Sequence, residues 1–148
     1  MHTANFGARA MALIIDIVLL AATQIFLFFL STVWFLHELI HFEALAIFTF
    51  LSSYILVFLV SFIFLHIFYF TLFHAWSGQT IGKMIMGIRV VTADNKQASP
   101  AVAFLRWAGY VLSLFPLAAG FLWTAVDKDH RAWHDRLAQT WVVSVEMT

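Results

Sequence analysis

The chain has no cysteine, which excludes disulfides, thiolate nucleophiles and cysteine-ligated metals. Charge is also scarce: Asp, Glu, Lys and Arg make up 11% of the residues, against about 25% in an average soluble domain. Hydrophobic residues reach 63%, leaving too little polar surface to cover a water-soluble fold. Acidic and basic residues balance, so no bulk charge draws the protein to nucleic acid, and no nucleic-acid partner is expected. A soluble enzyme is likewise not expected. The composition fits a small protein of the lipid bilayer.

What is present is long apolar runs. The first, Met11 to Leu36, is interrupted only by Asp16, Thr23, Gln24, Ser31 and Thr32. Its length of about 26 residues exceeds the ~20 that a helix needs to cross a bilayer core. A cleavable signal peptide would be shorter, follow a basic start and end at small residues. This run carries an aspartate and ends in Trp34-Phe35-Leu36, so it reads as a span. After the polar break His37–Glu43, a second run from Ala44 to Phe73 contains no Pro, Gly or formal charge. At about 45 Å as a helix, it must tilt or project into the headgroups. Its polar marks are Ser52, Ser53, Ser61 and His66. The third run, Ala101 to Val126, contains Arg106, Pro116 and Gly120. Trp34, Trp76, Trp107, Trp123, Trp133 and Trp141 fall near run ends, where amphipathic rings favour the headgroup level.

Between His74 and Pro100 the composition changes. Thr80 to Met86 reads as a short interfacial helix ended by Gly87, Ile88–Thr92 as a strand and Ala93–Lys96 as a turn. A second strand-like patch, Trp141–Val145, closes the tail and is a natural partner for the first. The His37–Glu43 loop has no Lys or Arg, whereas His74–Pro100 has Lys83, Arg89 and Lys96, which places the N-terminus and the middle segment in the cytoplasm. Strand pairing would require the tail on that side too. Pro116 removes a helical hydrogen bond near the middle of the third run. The expected fold is therefore an all-α membrane protein, one domain over residues 1–148. It has two full transmembrane helices and a third hydrophobic segment, either a kinked span or a cytoplasm-facing hairpin broken near Pro116. A short two-stranded β element lies at the cytoplasmic face.

Three motifs suggest chemistry. His37-Glu38-Leu39-Ile40-His41 fits H-E-x-x-H, in which two imidazoles on one helical face hold zinc and the glutamate activates water. Here it falls between spans, and Glu43 is too near to be the usual distant third ligand, so a polar loop is the reading kept. Gly78-Gln79-Thr80-Ile81-Gly82-Lys83 has three residues between its glycines and Met84 after the lysine, where a phosphate-binding loop needs four and Ser or Thr. It reads as a bend at the membrane surface. His130 and His134, beside Asp127, Asp129 and Asp135, read as a solvated amphipathic turn rather than a metal site. No metal or cofactor is expected.

The charges inside the apolar runs carry more weight. Asp16 and Arg106 each lie about 9 Å along a run entered from the cytoplasm, so a direct pair is sterically possible. Arg9, two turns before Asp16, adds a second cation on the same face. Burying such charges is costly, so they usually pair or mark a pathway.

These residues resemble a known family. Phe6-x-x-Arg9-x-x-Ala12-x-x-x-Asp16 looks like the opening of the RDD family of membrane proteins. Gly78-Gln79-Thr80-Ile81-Gly82-Lys83 with Gly87-Ile88-Arg89-Val90-Val91, and His134-Asp135-Arg136-Leu137-Ala138-Gln139-Thr140-Trp141-Val142-Val143, look like its middle and closing motifs. The segment between Leu36 and His74 adds nothing to the resemblance, and Asn95 stands where the family's strand turn often has glycine. The resemblance implies that the arginine and two aspartates of the family's name are Arg9, Asp16 and Asp135. A few members are linked to sodium–proton exchange. Two functions follow as expectations. One is a small cation or proton transporter using Asp16, tuned by Arg9, Arg106 and Asp135. The other is a non-catalytic membrane subunit or scaffold in which that cluster is structural. Either would have lipid and a second copy or a partner membrane subunit as neighbours.

Overall fold

The computed structural model describes residues 3–39 and 44–145. Its elements are α1 (Phe6–Leu39), α2 (Ala44–Trp76), α3 (Ile81–Ile85), β1 (Ile88–Thr92), α4 (Pro100–Leu114), α5 (Ala119–Val126), α6 (Trp133–Leu137) and β2 (Thr140–Ser144). Two helical stretches, Phe6–Trp34 and Ile47–Trp76, are long and apolar enough to cross a membrane. α1 continues three residues beyond Leu36, so His37 belongs to its last turn rather than to a loop. Residues 40–43 lie outside the described residues, and the His37–Glu38–His41 zinc reading lies there with His41.

The contacts divide the chain into two compact units. One is Ile17–His66, made from the continuation of α1 and most of α2. Its surface is apolar in a way water would not tolerate: Phe26, Phe29, Trp34, Phe48, Val57 and Phe64 are all exposed. Polar side chains tie the two helices together inside this unit. The Tyr54 hydroxyl lies 2.6 Å from Thr32 Oγ1 and 3.0 Å from Ser31 Oγ, and Gln24 Nε2 donates to Ser61 Oγ at 3.2 Å. In hydrocarbon, where apolar side chains gain nothing by leaving lipid, such bonds and close packing hold helices together. The Phe28 ring packs edge-on against Phe58 at 5.1 Å.

The other unit comprises the residues up to Asp16 and those from Ile67 onward. β1 and β2 pair antiparallel, with Val90 opposite Val142 and Thr92 opposite Thr140. β2 starts one residue earlier than the sequence suggested, at Thr140, whose side chain is drawn inward by Arg106. Thr3 bridges Val143, and the Ala4 N–H donates to Val142 O at 2.9 Å. A small core of Ala4, Ala12, Ile88, Val90 and Val142 results. α3 has Thr80 as its N-cap and ends before Gly87, whose φ of 62° suits glycine.

The third apolar run is broken where Pro116 stands: α4 and α5 meet at 96°. A proline ring would collide with the carbonyl four residues back if the helix continued. Instead the chain passes through two left-handed residues, Leu117 (φ 52°) and Ala118 (φ 61°), and restarts as α5. At 15 and 8 residues, the arms reach about 22 and 12 Å, each shorter than a ~30 Å hydrocarbon core. β1 precedes this bent pair and β2 follows it, and the two strands are hydrogen-bonded. Both flanks of the segment therefore return to one sheet.

Candidate functional site

Arg9, Asp16, Arg106 and Asp135 all fall in the unit that holds the sheet. The two aspartates form two centres rather than one cluster. At the first, Asp16 on α1 is fully buried. The Tyr69 hydroxyl donates to its Oδ1 at 2.6 Å, the Thr80 hydroxyl to its Oδ2 at 2.6 Å, and the Gly82 N–H to Oδ1 at 2.8 Å. Tyr69 in turn accepts the Ile81 N–H at 3.1 Å. All three donors to the carboxylate are uncharged. The expected Asp16–Arg106 pair is therefore corrected: the aspartate is held by the α3 region and by α2, and the arginine turns elsewhere.

The local sequence explains the cradle. Thr80 caps α3, so its hydroxyl sits beside the first-turn N–H groups, which carry the positive end of the peptide dipoles. Gly82 must lack a side chain, because a Cβ there would run into Ala12 O and lie 2.9 Å from Asp16 Oδ1. The glycine-threonine-glycine motif thus serves a carboxylate on a neighbouring helix.

The second centre is Asp135, at the third position of α6 and also fully buried. Its Oδ2 accepts the Ala132 N–H at 2.9 Å, the reciprocal half of a capping box whose other half alanine cannot supply. Arg9 donates to the same oxygen and, through its other terminal nitrogen, to His130 O. Arg106 forms an ion pair with Oδ1, while the same Nη1 donates to Thr140 Oγ1 at 2.6 Å; Oδ1 itself accepts no hydrogen bond. Burial alone would raise the Asp135 carboxyl, but Arg106, with His134 and Arg9 behind it, holds it well below the usual carboxylate range.

His134 is not on a solvated turn. It is buried, with Nδ1 3.2 Å from Ser113 Oγ and its ring against Tyr110 and Phe121 at 4.5 and 4.9 Å. Burial pushes its pKa down, Arg106, Arg9 and Lys83 push the same way, and Asp135 opposes them. His130 takes a different direction, its Nδ1 3.3 Å from Thr124 O, so the two histidines share no partner.

Sequence reasoning singled out Arg9, Asp16, Arg106 and Asp135 as one charge cluster but missed Tyr69, Thr80, Gly82 and Thr140 as their partners. The sequence carried a signal for two of them, Thr80 and Gly82, in the spacing of the middle motif. Tyr69, one hydroxyl within an apolar run, gave none.

Two helices long and apolar enough to cross a membrane, a bent helical pair and buried Arg/Asp centres in the unit that holds a two-stranded sheet together describe a helical membrane protein. A model of the RDD family matches residues 3–139, nearly the whole chain, and the protein belongs to that family of membrane proteins. It is 42% identical over 72 residues to the uncharacterized protein YckC of Bacillus subtilis (strain 168). That alignment covers 45% of this chain and 48% of YckC, about half of each. No solved structure matches the chain.

Proposed function

We propose that the protein is a non-catalytic membrane subunit or scaffold, with its two buried carboxylates acting as internal fasteners. The observation that supports this most strongly is the engagement of both oxygens of Asp16, which take three donors fixed by α2 and the α3 region. A carboxylate that exchanges cations needs an oxygen free to receive them. Asp135 is engaged in the same way by two arginines and a backbone N–H. The exposed aromatic surface of α1 and α2 then meets lipid and the helices of a second copy or a partner subunit. The absence of Lys and Arg from the His37–Glu43 break, against three between His74 and Pro100, supports a cytoplasmic N-terminus in the cell's plasma membrane. The paired strands support α4–α5 as a re-entrant hairpin on that side.

A second reading, cation or proton exchange at Asp16, draws on one observation. The hydroxyls of Tyr69 and Thr80 converge on the carboxylate, and these are hard oxygen ligands able to turn from donating to coordinating. Flux in proteoliposomes separates the two. The scaffold reading expects no sodium- or proton-driven flux in the unmodified protein and a loss of stability in Asp16→Asn. Flux abolished by Asp16→Asn in a folded protein would replace it with the transporter. Tags at residues 92–96 and after β2 should report the same membrane side, and opposite sides would rule out the hairpin.

A further inference from the structure

The two carboxylates do not account for all the buried cations. Beside the Asp135 centre lies a cavity of about 110 Å³ whose walls include Arg9, Lys83 and Arg106. Arg9 and Arg106 share Asp135. Lys83 is 6% exposed, yet its ammonium makes no hydrogen bond or ion pair among the described residues; only its backbone N–H is engaged, by Thr80. Asp16, the other buried carboxylate of the unit, is taken up by uncharged donors. Arg106 Nε is also buried without a partner among the described residues. Among the described residues, these three cations face two buried carboxylates, so the cavity region carries one uncompensated positive charge together with unused N–H donors.

A cation that lines a cavity without a carboxylate partner makes that cavity favourable to an anion. We infer that the cavity is a binding site for a phosphate-bearing anion, either a phospholipid headgroup or free phosphate. Its volume is several times the ~10–15 Å³ that one water requires, which leaves room for a tetrahedral oxyanion. The donors are those that bind phosphate elsewhere: guanidinium N–H groups and an ammonium point charge. The remaining wall is apolar, with Phe6, Leu13 and Leu122 among its residues, and Phe6 and Leu122 are exposed. Acyl chains would lie along those side chains once a headgroup was seated.

The test uses the full chain in a detergent without phosphate, followed by thermal denaturation and native mass spectrometry. Phosphatidylglycerol, phosphatidylcholine and inorganic phosphate are each titrated. The inference expects saturable stabilisation by phosphatidylglycerol or inorganic phosphate beyond that given by phosphatidylcholine. A response to the lipid alone identifies a headgroup site, and a response to inorganic phosphate identifies a site for the free ion. In Lys83→Met the apparent affinity should fall at least about tenfold, the weight of one charge-assisted hydrogen bond. The ligand-free Tm should stay level or rise, because an unpaired buried charge is gone. Leu122→Trp, which fills the apolar wall without touching a cation, should weaken the lipid and spare the ion, and it stands in if Lys83→Met does not fold. No anion-dependent shift in the unmodified protein would overturn the inference, as would a shift that neither variant alters.

Discussion

Arg106 on α4 and Asp135 on α6 form an ion pair in which the two side chains are 1% and 0% exposed. Removing one partner of a buried pair costs about 3–5 kcal/mol, because the other charge is left uncompensated. Arg106→Gln and Asp135→Asn should each weaken the fold by that order, and the double variant by clearly less than the sum. Asp16→Asn combined with Arg106→Gln should instead add to within about 0.5 kcal/mol, since the two side chains share no partner. Thermal or denaturant unfolding in detergent measures both cycles. Strong coupling in the Asp16 cycle and none in the Asp135 cycle would reverse the assignment.

The cradle of Asp16 gives a second expectation. Thr80→Val keeps the shape of the side chain but removes the donor to Asp16 and the N-cap acceptor, a loss of about 1.5–3 kcal/mol for a hydrogen bond to a charged group. Gly82→Ala forces a methyl group against Ala12 O, and overpacking of this kind costs about 1–3 kcal/mol. Both should lower the melting temperature. A neutral Gly82→Ala would mean that α3 does not lie so close to α1.

Acid should destabilise the protein in two stages. His134 has a folded-state pKa below its ordinary value, so the unfolded chain takes up the proton first as pH falls through about 6.5, and stability drops below that point. Asp135 is depressed below the usual carboxylate range, so its contribution is present above about pH 4 and is lost as the pH falls further. His134→Gln should flatten the loss of melting temperature between pH 7.5 and 5 and leave the steeper fall below pH 4. An unchanged slope between pH 7.5 and 5 would assign that loss to another group.

The bend offers a stabilising substitution. Ala118 has a φ of 61°, a conformation costing an L-residue about 1–2 kcal/mol, whereas glycine pays only about 0.5–1 kcal/mol in chain entropy. Ala118→Gly should therefore raise stability by about 0.5–1 kcal/mol. A lower melting temperature in that variant would mean that Ala118 is not left-handed in the bilayer.

Much of the fold was readable because periodicity and breaks act locally. The two spans, the capped α3, β1 and the break at Pro116 each follow from a few adjacent residues. β2 begins one position earlier because Thr140 pairs with Thr92 on the distant strand, which no local pattern records. The site was legible as a set of charges but not as a set of pairs. Equal depth along two helices made Asp16 and Arg106 look like partners, yet depth says nothing about azimuth. The three uncharged donors that took Asp16 are a tyrosine in an apolar run, a capping threonine and a backbone N–H. The last is visible only once the chain is folded. His134 looked solvated because its sequence neighbours are charged, whereas the short α6 turns it onto Ser113, Tyr110 and Phe121. The polar ladder of Gln24, Ser31 and Thr32 with Tyr54 and Ser61 was present in the sequence only as scattered interruptions.

The Arg9–Asp135 contact closes a loop of 126 residues, and this orders events during synthesis. Arg9, Lys83 and Arg106 leave the ribosome before the carboxylate that two of them share. Until Asp135 is made, Arg106 lacks the carboxylate it pairs with in the finished fold. Arg9 on α1 waits for the same carboxylate, whereas the donors to Asp16 are all made by the time α3 has emerged. The order of the chain thus makes every donor to Asp16 available before the carboxylate on which Arg9 and Arg106 converge.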